Sequence, residues 1–446
     1  MRLSTGVICS LTWALLLAAA SAEEWPQFRG PQGDGIAAVK LPTEWNAAKR
    51  LVWQAELPGL GWSQPVVWGD RVFLTTAENG QDKAFRFDWS PGVSGLRMLG
   101  VGGEPPPPKE TYRWRVLCLD APSGKILWDQ VAHEGAPSNH IHPSNSYASE
   151  TAAADGERVI ASFGMAGVYC YDFAGKLLWS KDLGTFPTQF GWGTGSSPVL
   201  HEDLVYLQCD NDRQSFLVAL DKQTGEERWR VARDERSNWS TPFLWRNAKR
   251  TELVAAGGGK MSSYDPATGA VLWELDGYGR TAATPVGTAE LLVVDSYDRL
   301  MGRSGRLTAI RPGGSGNLSA AGGASEFVAW SVPLSAYRVA SPLVYEGCVY
   351  VLQQQSGLVR CLDSATGKQL YRQRLPGAAG FTASPWAAGG KVYCLDQNGL
   401  TTVLAAGPTF QVLAANPLEG LFWASAAVAG ERLLLRSANR LYCVGD

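Results

Sequence analysis

Short runs of alternating or wholly apolar residues, separated by turns rich in Asp, Gly, Ser and Thr, recur along nearly the whole chain. Arg71 to Thr75, Arg158 to Ser162, Leu204 to Gln208, Cys348 to Leu352, Lys391 to Leu395 and Arg432 to Arg436 are such runs, with the patterning of half-buried and buried strands. Eight copies share a strand-opening position ahead of such a run: Pro65, Thr151, Pro198, Pro242, Pro285, Pro342, Pro385 and Ala426. The residue before it is Gln64, Glu150, Ser197, Thr241, Thr284, Ser341, Ser384 or Ser425. A third strand ends in Leu119-Asp120, Tyr171-Asp172, Leu220-Asp221, Tyr264-Asp265 or Leu362-Asp363, and a Gly follows at 124, 175, 225, 269 or 367. Asp bonds its own downstream backbone there and Gly supplies a positive φ, so these are hairpin turns. A fourth strand carries Trp128, Trp179, Trp229, Trp273, Trp330 or Tyr371.

The unit is a four-stranded meander repeated roughly every 41 to 57 residues with one longer gap, in the range of radial repeats and solenoids. One such unit cannot bury both of its faces, and radial closure stacks copies without leaving an open edge. The chain ends favour closure over a capped solenoid. The last copy has three strands and stops at Leu441-Tyr442-Cys443-Val444, while Leu51 to Leu57 precedes the first copy and resembles an orphan fourth strand. The pattern therefore predicts an all-β fold: an eight-bladed β-propeller of four-stranded antiparallel blades, the last closed by an N-terminal strand. The expected organisation is a signal peptide at 1–22, an N-terminal extension at 23–44 and the propeller at 45–446.

Composition fits a large all-β domain, with 50 Gly, 25 Pro, 18 Trp and 18% charged residues. Arg2, the apolar stretch Leu11 to Ala20 and Ala20-Ser21-Ala22 before Glu23 form an export signal with its cleavage site. The expected location is periplasmic or extracellular, with no transmembrane span in the mature chain. A net charge of −2 with interspersed signs gives no basic footprint for nucleic acid. Four of the cysteines, Cys118, Cys170, Cys361 and Cys443, share a column with Ala219, Ser263 and Ala309, so they are expected to serve as small packing residues. Disulfide or metal roles are the alternative in an exported chain.

The repeat, Ser-x-Pro-Val through the Asp-x-x-Thr-Gly turn to Leu-Trp, resembles the pyrroloquinoline quinone (PQQ) repeat of eight-bladed quinoprotein dehydrogenases and of BamB-like assembly factors, over about residues 45 to 446. Trp25 to Pro31, Asn145 to Ser149 and Gly191 to Thr194 resemble segments of exported bacterial PQQ-like proteins. The dehydrogenase resemblance implies PQQ on a Trp floor and a vicinal cysteine pair, with Ca²⁺ held by acidic and amide side chains. No two cysteines are adjacent in this sequence. Asp210, Asn211, Asp212, Asp295 and Asp396 are possible oxygen ligands without fixed spacing. No catalytic residue, cofactor or metal is assigned, with PQQ and Ca²⁺ kept for the alternative, a divergent quinoprotein oxidoreductase.

His133, His140 and His142 cluster between the first two copies, at a spacing compatible with either a metal or a plain surface loop. Trp62, Trp239 and Trp423 stand three residues before the strand-opening column, with Tyr147, Trp192, Arg280, Arg338 and Phe381 nearby. Aromatic and Arg side chains at a channel mouth can grip a planar ligand or a peptide, and packing between blades is the competing role. Second-to-third strand loops and blade connections share one face. The insertion Glu78 to Thr111, Ser296 to Gly305, the histidines and the aromatic collar are expected there, with Pro312 to Ser325 as a flexible loop on the opposite side. The favoured function is a non-catalytic, exported binding or scaffold module for a protein, peptide or glycan partner, acting through the decorated face.

Overall fold

The computed structural model describes residues 24–80, 106–298, 303–319, 325–334 and 338–446. Within them the chain forms eight antiparallel sheets of four strands, two of which gain a fifth, parallel strand. Blade 1 joins Val66–Trp68, Arg71–Glu78, Tyr112–Asp120 and Ile126–Gly135 in that order, and the meander repeats to blade 7, whose last strand is Val412–Pro417. The short first strand of each blade is innermost. These inner strands follow one another round an axis, and Ala427–Ala429 of blade 8 lies beside Val66–Trp68 of blade 1. Leu51–Glu56 pairs antiparallel with Arg440–Val444, from Leu51 opposite Val444 to Glu56 opposite Arg440, and closes blade 8 as the sequence predicts.

The repeated Trp, Gly and small residues turn out to be one packing device. Trp53, Trp128, Trp179, Trp229 and Trp330 each donate Nε1–H to a carbonyl in the third hairpin of the next blade, at 2.8 to 3.0 Å. The ring lies on the turn glycine there: a Cβ at Gly124 would come within 2.3 Å of Trp53, and one at Gly367 within 2.7 Å of Trp330. These glycines also have φ near +70°, so both space and backbone exclude a side chain. Directly across the blade from each ring stands a small residue, as in the pairs Cys443 with Trp53, Cys118 with Trp128, Cys170 with Trp179 and Ala219 with Trp229. Blade 7 has Ala414 in place of the ring, and its partner grows to Val403. The seven described cysteines are all buried and free. Burial pushes the Cys118, Cys170 and Cys443 thiols up to about 12, which suits packing and not reactivity.

Around the axis, hydroxyls knit the blades into a ring. The Gln64 N–H donates to Thr151 Oγ1 of the next blade, Thr151 to Ser197, Ser197 to Thr241, Thr241 to Thr284, Thr284 to Ser341, Ser341 to Ser384 and Ser384 to Ser425, at 2.9 to 3.2 Å. This corrects the sequence columns by one residue in blade 2. Thr151 is level with Gln64 and not with Pro65, because its hydroxyl takes the ring position and the inner strand starts only at Ala153. Glu150 consequently falls into the preceding column, otherwise occupied by Ser63, Ser196, Ser240, Ala283, Ala340, Ala383 and Ala424. In blade 1 the amide of Gln64 stands where seven blades place a hydroxyl, and its Nε2 donates to the Ala426 carbonyl of blade 8.

The segment from Trp25 to Ala37, ahead of the propeller, crosses the axis. Trp25 bridges Val67 of blade 1, the Pro26 carbonyl accepts from Ala154 N–H of blade 2, and Gln27 Oε1 accepts from Leu200 N–H of blade 3. Ile36–Ala37 then adds parallel to Trp386–Ala388 of blade 7. Between these contacts, Arg29 donates through Nη2 to the Asp34 and Pro342 carbonyls, and its own N–H is accepted by Gln64 Oε1. Gly30 permits the crossing: φ is +83°, and a Cβ would meet the Trp25 ring at 2.9 Å. A second correction concerns the Gly/Ser-rich stretch after Pro312. Gly316–Asn317 pairs parallel with Trp273 and Glu274, Leu318 is buried, and Arg250 Nη2 holds the Gly314 carbonyl at 2.6 Å. That part of the segment is docked on blade 4 beside Trp273, whose Nε1 donates to Glu252 Oε2 at 2.6 Å and not to a carbonyl of the next blade. Residues 1–22, most of the Glu78 to Thr111 insertion and part of Ser296 to Gly305 lie outside the described residues.

Candidate functional site

Along each inner strand the chain passes the tryptophan position, then the small-residue column, then the hydroxyl ring, and then the level of the crossing extension. The tryptophans therefore stand at the end of the axis away from that plug. They form two pairs: Trp62 with Trp423, ring centroids 5.4 Å apart, and Trp192 with Trp239, 5.3 Å apart. Trp62 Nε1 donates to the Ser144 carbonyl at 3.0 Å and Trp239 Nε1 to the Gly193 carbonyl at 2.7 Å. Asn145 Nδ2 donates to the Trp192 and Thr194 carbonyls. The two segments 145–149 and 191–194 are thus braced against each other. Gly193, at φ +82°, leaves room for Ile141, which would be 2.6 Å from a Cβ.

The other collar residues are placed differently. Tyr147 donates its hydroxyl to the Asn139 carbonyl at 2.8 Å and packs edge-on against Tyr112. With Trp114, His133 and Met165 it lines a hollow that is open to solvent. Arg280 sits 3.9 Å from Asp212. Arg338 is buried and forks onto Asp295 at 2.5 Å. Phe381 is fully buried in the core between blades 6 and 7, away from any surface.

The histidines separate. His133 lies within the strand Ile126–Gly135, opposite Trp114, and not in a loop as the sequence suggests. His142 Nδ1 bonds Ser144 at 2.6 Å, with its ring against Trp192, and burial, reinforced by His140, lowers its pKa. Among the described residues no group of three or more His, Cys, Asp or Glu side chains is arranged to hold a metal ion.

The candidate Ca²⁺ ligands are committed elsewhere. Asp210 pairs with Arg233 at 2.8 Å, both buried, and Arg233 also donates to the Tyr264 hydroxyl. Asp295 is held by Arg338. Asn211 closes its own turn through Cys209 and Gln214, Asp212 accepts from Ser237, and Asp396 accepts the N–H groups of Ala379, Asn398 and Leu400. This donor set does not fit PQQ with Ca²⁺, since each carboxylate already has a cation or backbone donors to satisfy it.

Sequence reasoning missed Glu150. It is 2% exposed and lines a recess of about 400 Å³, part of it open to solvent, between blades 2, 3 and 4. Leu183, Gly164, Thr194 and Gly195 form a half-exposed rim, above a floor that includes Gln208 and Asn238. Burial raises the Glu150 carboxyl to about 7, against hydrogen bonds from Thr194 and the local backbone. Three oxygens of this lining, Glu150 Oε1, Ser196 Oγ and Gln208 Oε1, have no hydrogen-bond partner within the protein. The signal was present in the sequence as one acid in a column of Ser and Ala, hidden by the one-residue shift.

A sequence profile of the family described as "Outer membrane protein assembly factor BamB" matches residues 113–275 and 315–414. No curated protein matches by sequence. Among solved structures, BamB from Moraxella catarrhalis is similar at 13% identity and TM-score 0.58, covering 88% of this chain and 98% of that one. A computationally designed protein, Ika8, gives 12% and 0.58, with 89% and 100% coverage. The quinohemoprotein alcohol dehydrogenase ADHIIG from Pseudomonas putida HK5 gives 10% and 0.57, with 94% and 80%. At these identities the structural likenesses speak for the fold alone.

Proposed function

Because the chain belongs to this BamB family of PQQ-repeat propellers, we propose that it is an exported, non-catalytic module that binds a protein or peptide partner through the tryptophan-bearing face. The commitment of Asp210 to Arg233 and of Asp295 to Arg338 carries this reading. Removing either acid from its arginine to hold Ca²⁺ would leave a buried cation unpaired, at a cost of about 3–5 kcal/mol. Export rests on the leader-like residues 1–22, and among the described residues no helix is long and apolar enough to cross a membrane. A face suits this role where paired aromatic rings and braced loops present rigid contact area.

The test has two arms. Purified protein supplied with PQQ and Ca²⁺ should give neither dye-linked alcohol oxidation nor a rise in melting temperature, since a ligand selective for the native state stabilises it. Turnover under those conditions would replace this reading with the quinoprotein one. Capture from the native envelope should recover a partner with wild type and lose it with W192A/W239A.

A further inference from the structure

We propose that the Glu150 recess is a receptor for one primary ammonium group, carried either by a lysine side chain of the partner or by a free alkylamine. The proposal deepens the binding-module reading and rests on it. Three unpartnered acceptor oxygens, Glu150 Oε1, Ser196 Oγ and Gln208 Oε1, line one recess. Glu150 and Gln208 are 2% and 5% exposed. Buried oxygens without donors are costly and therefore uncommon in folded proteins. An ammonium offers three N–H donors and no acceptor, and the Glu150 carboxylate, the Gln208 amide oxygen and the Ser196 hydroxyl can each accept one.

The shape narrows the choice further. The recess as a whole has room for about one water-sized group, enough for the ammonium head and too little for a planar guanidinium. Leu183, at the half-exposed rim, gives an apolar surface on which the methylene stem can lie as it leaves the recess. Charge points the same way. Arg233, the partner of the lining residue Asp210, is held by that carboxylate, Tyr264 and the Ala256 carbonyl, so it is committed away from Glu150. Ca²⁺ prefers six to eight oxygens with several carboxylates, and this recess offers one carboxylate that is not already ion-paired.

The neighbouring columns explain why the site occurs once. Where blade 2 has Glu150, every other blade has Ser or Ala. Ser63, the counterpart in blade 1, is covered by the Arg436 guanidinium, which donates to its carbonyl and hydroxyl. In blade 1, then, the protein supplies its own cation at that level. In blade 2 it supplies a carboxylate and leaves the cation to a ligand.

Calorimetric titration at pH 8 tests this with n-butylammonium, N-acetyl-lysine methylamide, the corresponding arginine amide and CaCl₂, on wild type and E150Q. The expected result is saturable binding of the lysine amide or butylammonium, weakened roughly tenfold or more in E150Q, the scale for losing a charged hydrogen-bond partner. Binding of the lysine amide at least as tight as that of butylammonium assigns the site to a partner's side chain; tighter butylammonium binding assigns it to a free amine. The melting temperature of E150Q, measured alongside, shows whether the variant is folded. No amine binding to wild type, equal binding to folded E150Q, preference for the arginine amide, or displacement of the amine by Ca²⁺ would each overturn the proposal. The first of these leaves an ordered water as the occupant. A quinone turnover result would overturn the binding-module reading by itself, so the two failures are distinguishable.

Discussion

Each end of the propeller axis carries a buried charge that can be compared, Arg29 at the plugged end and Glu150 at the other. At the plugged end, Arg29 is 1% exposed and burial lowers its pKa to about 10, with Asp34 opposing the shift. Its Nη2 is shared by two carbonyls, Trp25 and Gly30 pack over the crossing, and the segment from Trp25 to Ala37 touches the inner strands of blades 1, 2 and 7. At the other end the chain leaves a carboxylate, Glu150; like Arg29 it keeps an unpartnered atom, but Glu150 lines a recess. A buried charge covered by its own chain belongs to the architecture. A buried charge beside open space is a place for something else to bind.

The largest test of that contrast removes the plug's anchor. Trp25 is fully buried within the core of blades 7, 8 and 1, so W25A should lower stability by about 3–5 kcal/mol in a denaturant titration. A loss below about 1 kcal/mol would mean that the plug is an appendage and the contrast is false.

Glu150 gives the next effect, and its sign is fixed by linkage. Its folded value, raised by burial to about 7, lies above the ordinary value of 4.5. The raised group contributes stability that is complete below about 4.5 and is lost as pH rises through about 7. Relative to E150Q, wild type should therefore lose about 3 kcal/mol between pH 4.5 and pH 8. Parallel pH profiles for the two proteins would show that Glu150 is not desolvated. An amine ligand should recover part of the difference at pH 8 in wild type and none in E150Q.

How much of this was visible in the sequence depends on whether the information repeats. Trp128, Trp179 and their turn glycines are legible because each blade restates the same contact, and the closing strand at Leu51 is legible because its partner is missing elsewhere. The cysteine column is legible as a demand for small size, although the reason, a tryptophan directly opposite, needs the register. Features that no repeat restates were harder to read. The threading of Trp25 to Ala37 depends on which inner strands are neighbours in space, and no local pattern encodes that. The collar residues separate in space: Trp62 pairs with Trp423 and Trp192 with Trp239, whereas Phe381 lies in the core and Arg338 is paired with Asp295. Glu150 was lost because Thr151 follows it, and one residue of misalignment turned a unique acid into a variant of a Ser/Thr column.

Two smaller effects probe the hydroxyl ring that separates the ends. S384A removes the acceptor of the buried Ser341 N–H and should cost about 1–3 kcal/mol, the range for orphaning a buried donor. Q64S asks a finer question at the one blade where the ring and the plug meet. Serine would offer blade 8 the hydroxyl that seven other blades carry, but it would remove the acceptor of Arg29 N–H and the donor to the Ala426 carbonyl. Two buried partners are lost for one gained, so the net change should be a loss of about 1 kcal/mol, read as a lower denaturation midpoint at unchanged slope. The sign carries the information. A gain would mean that ring closure outweighs the plug contact and that Gln64 was kept for holding the extension in the axis at the expense of the barrel.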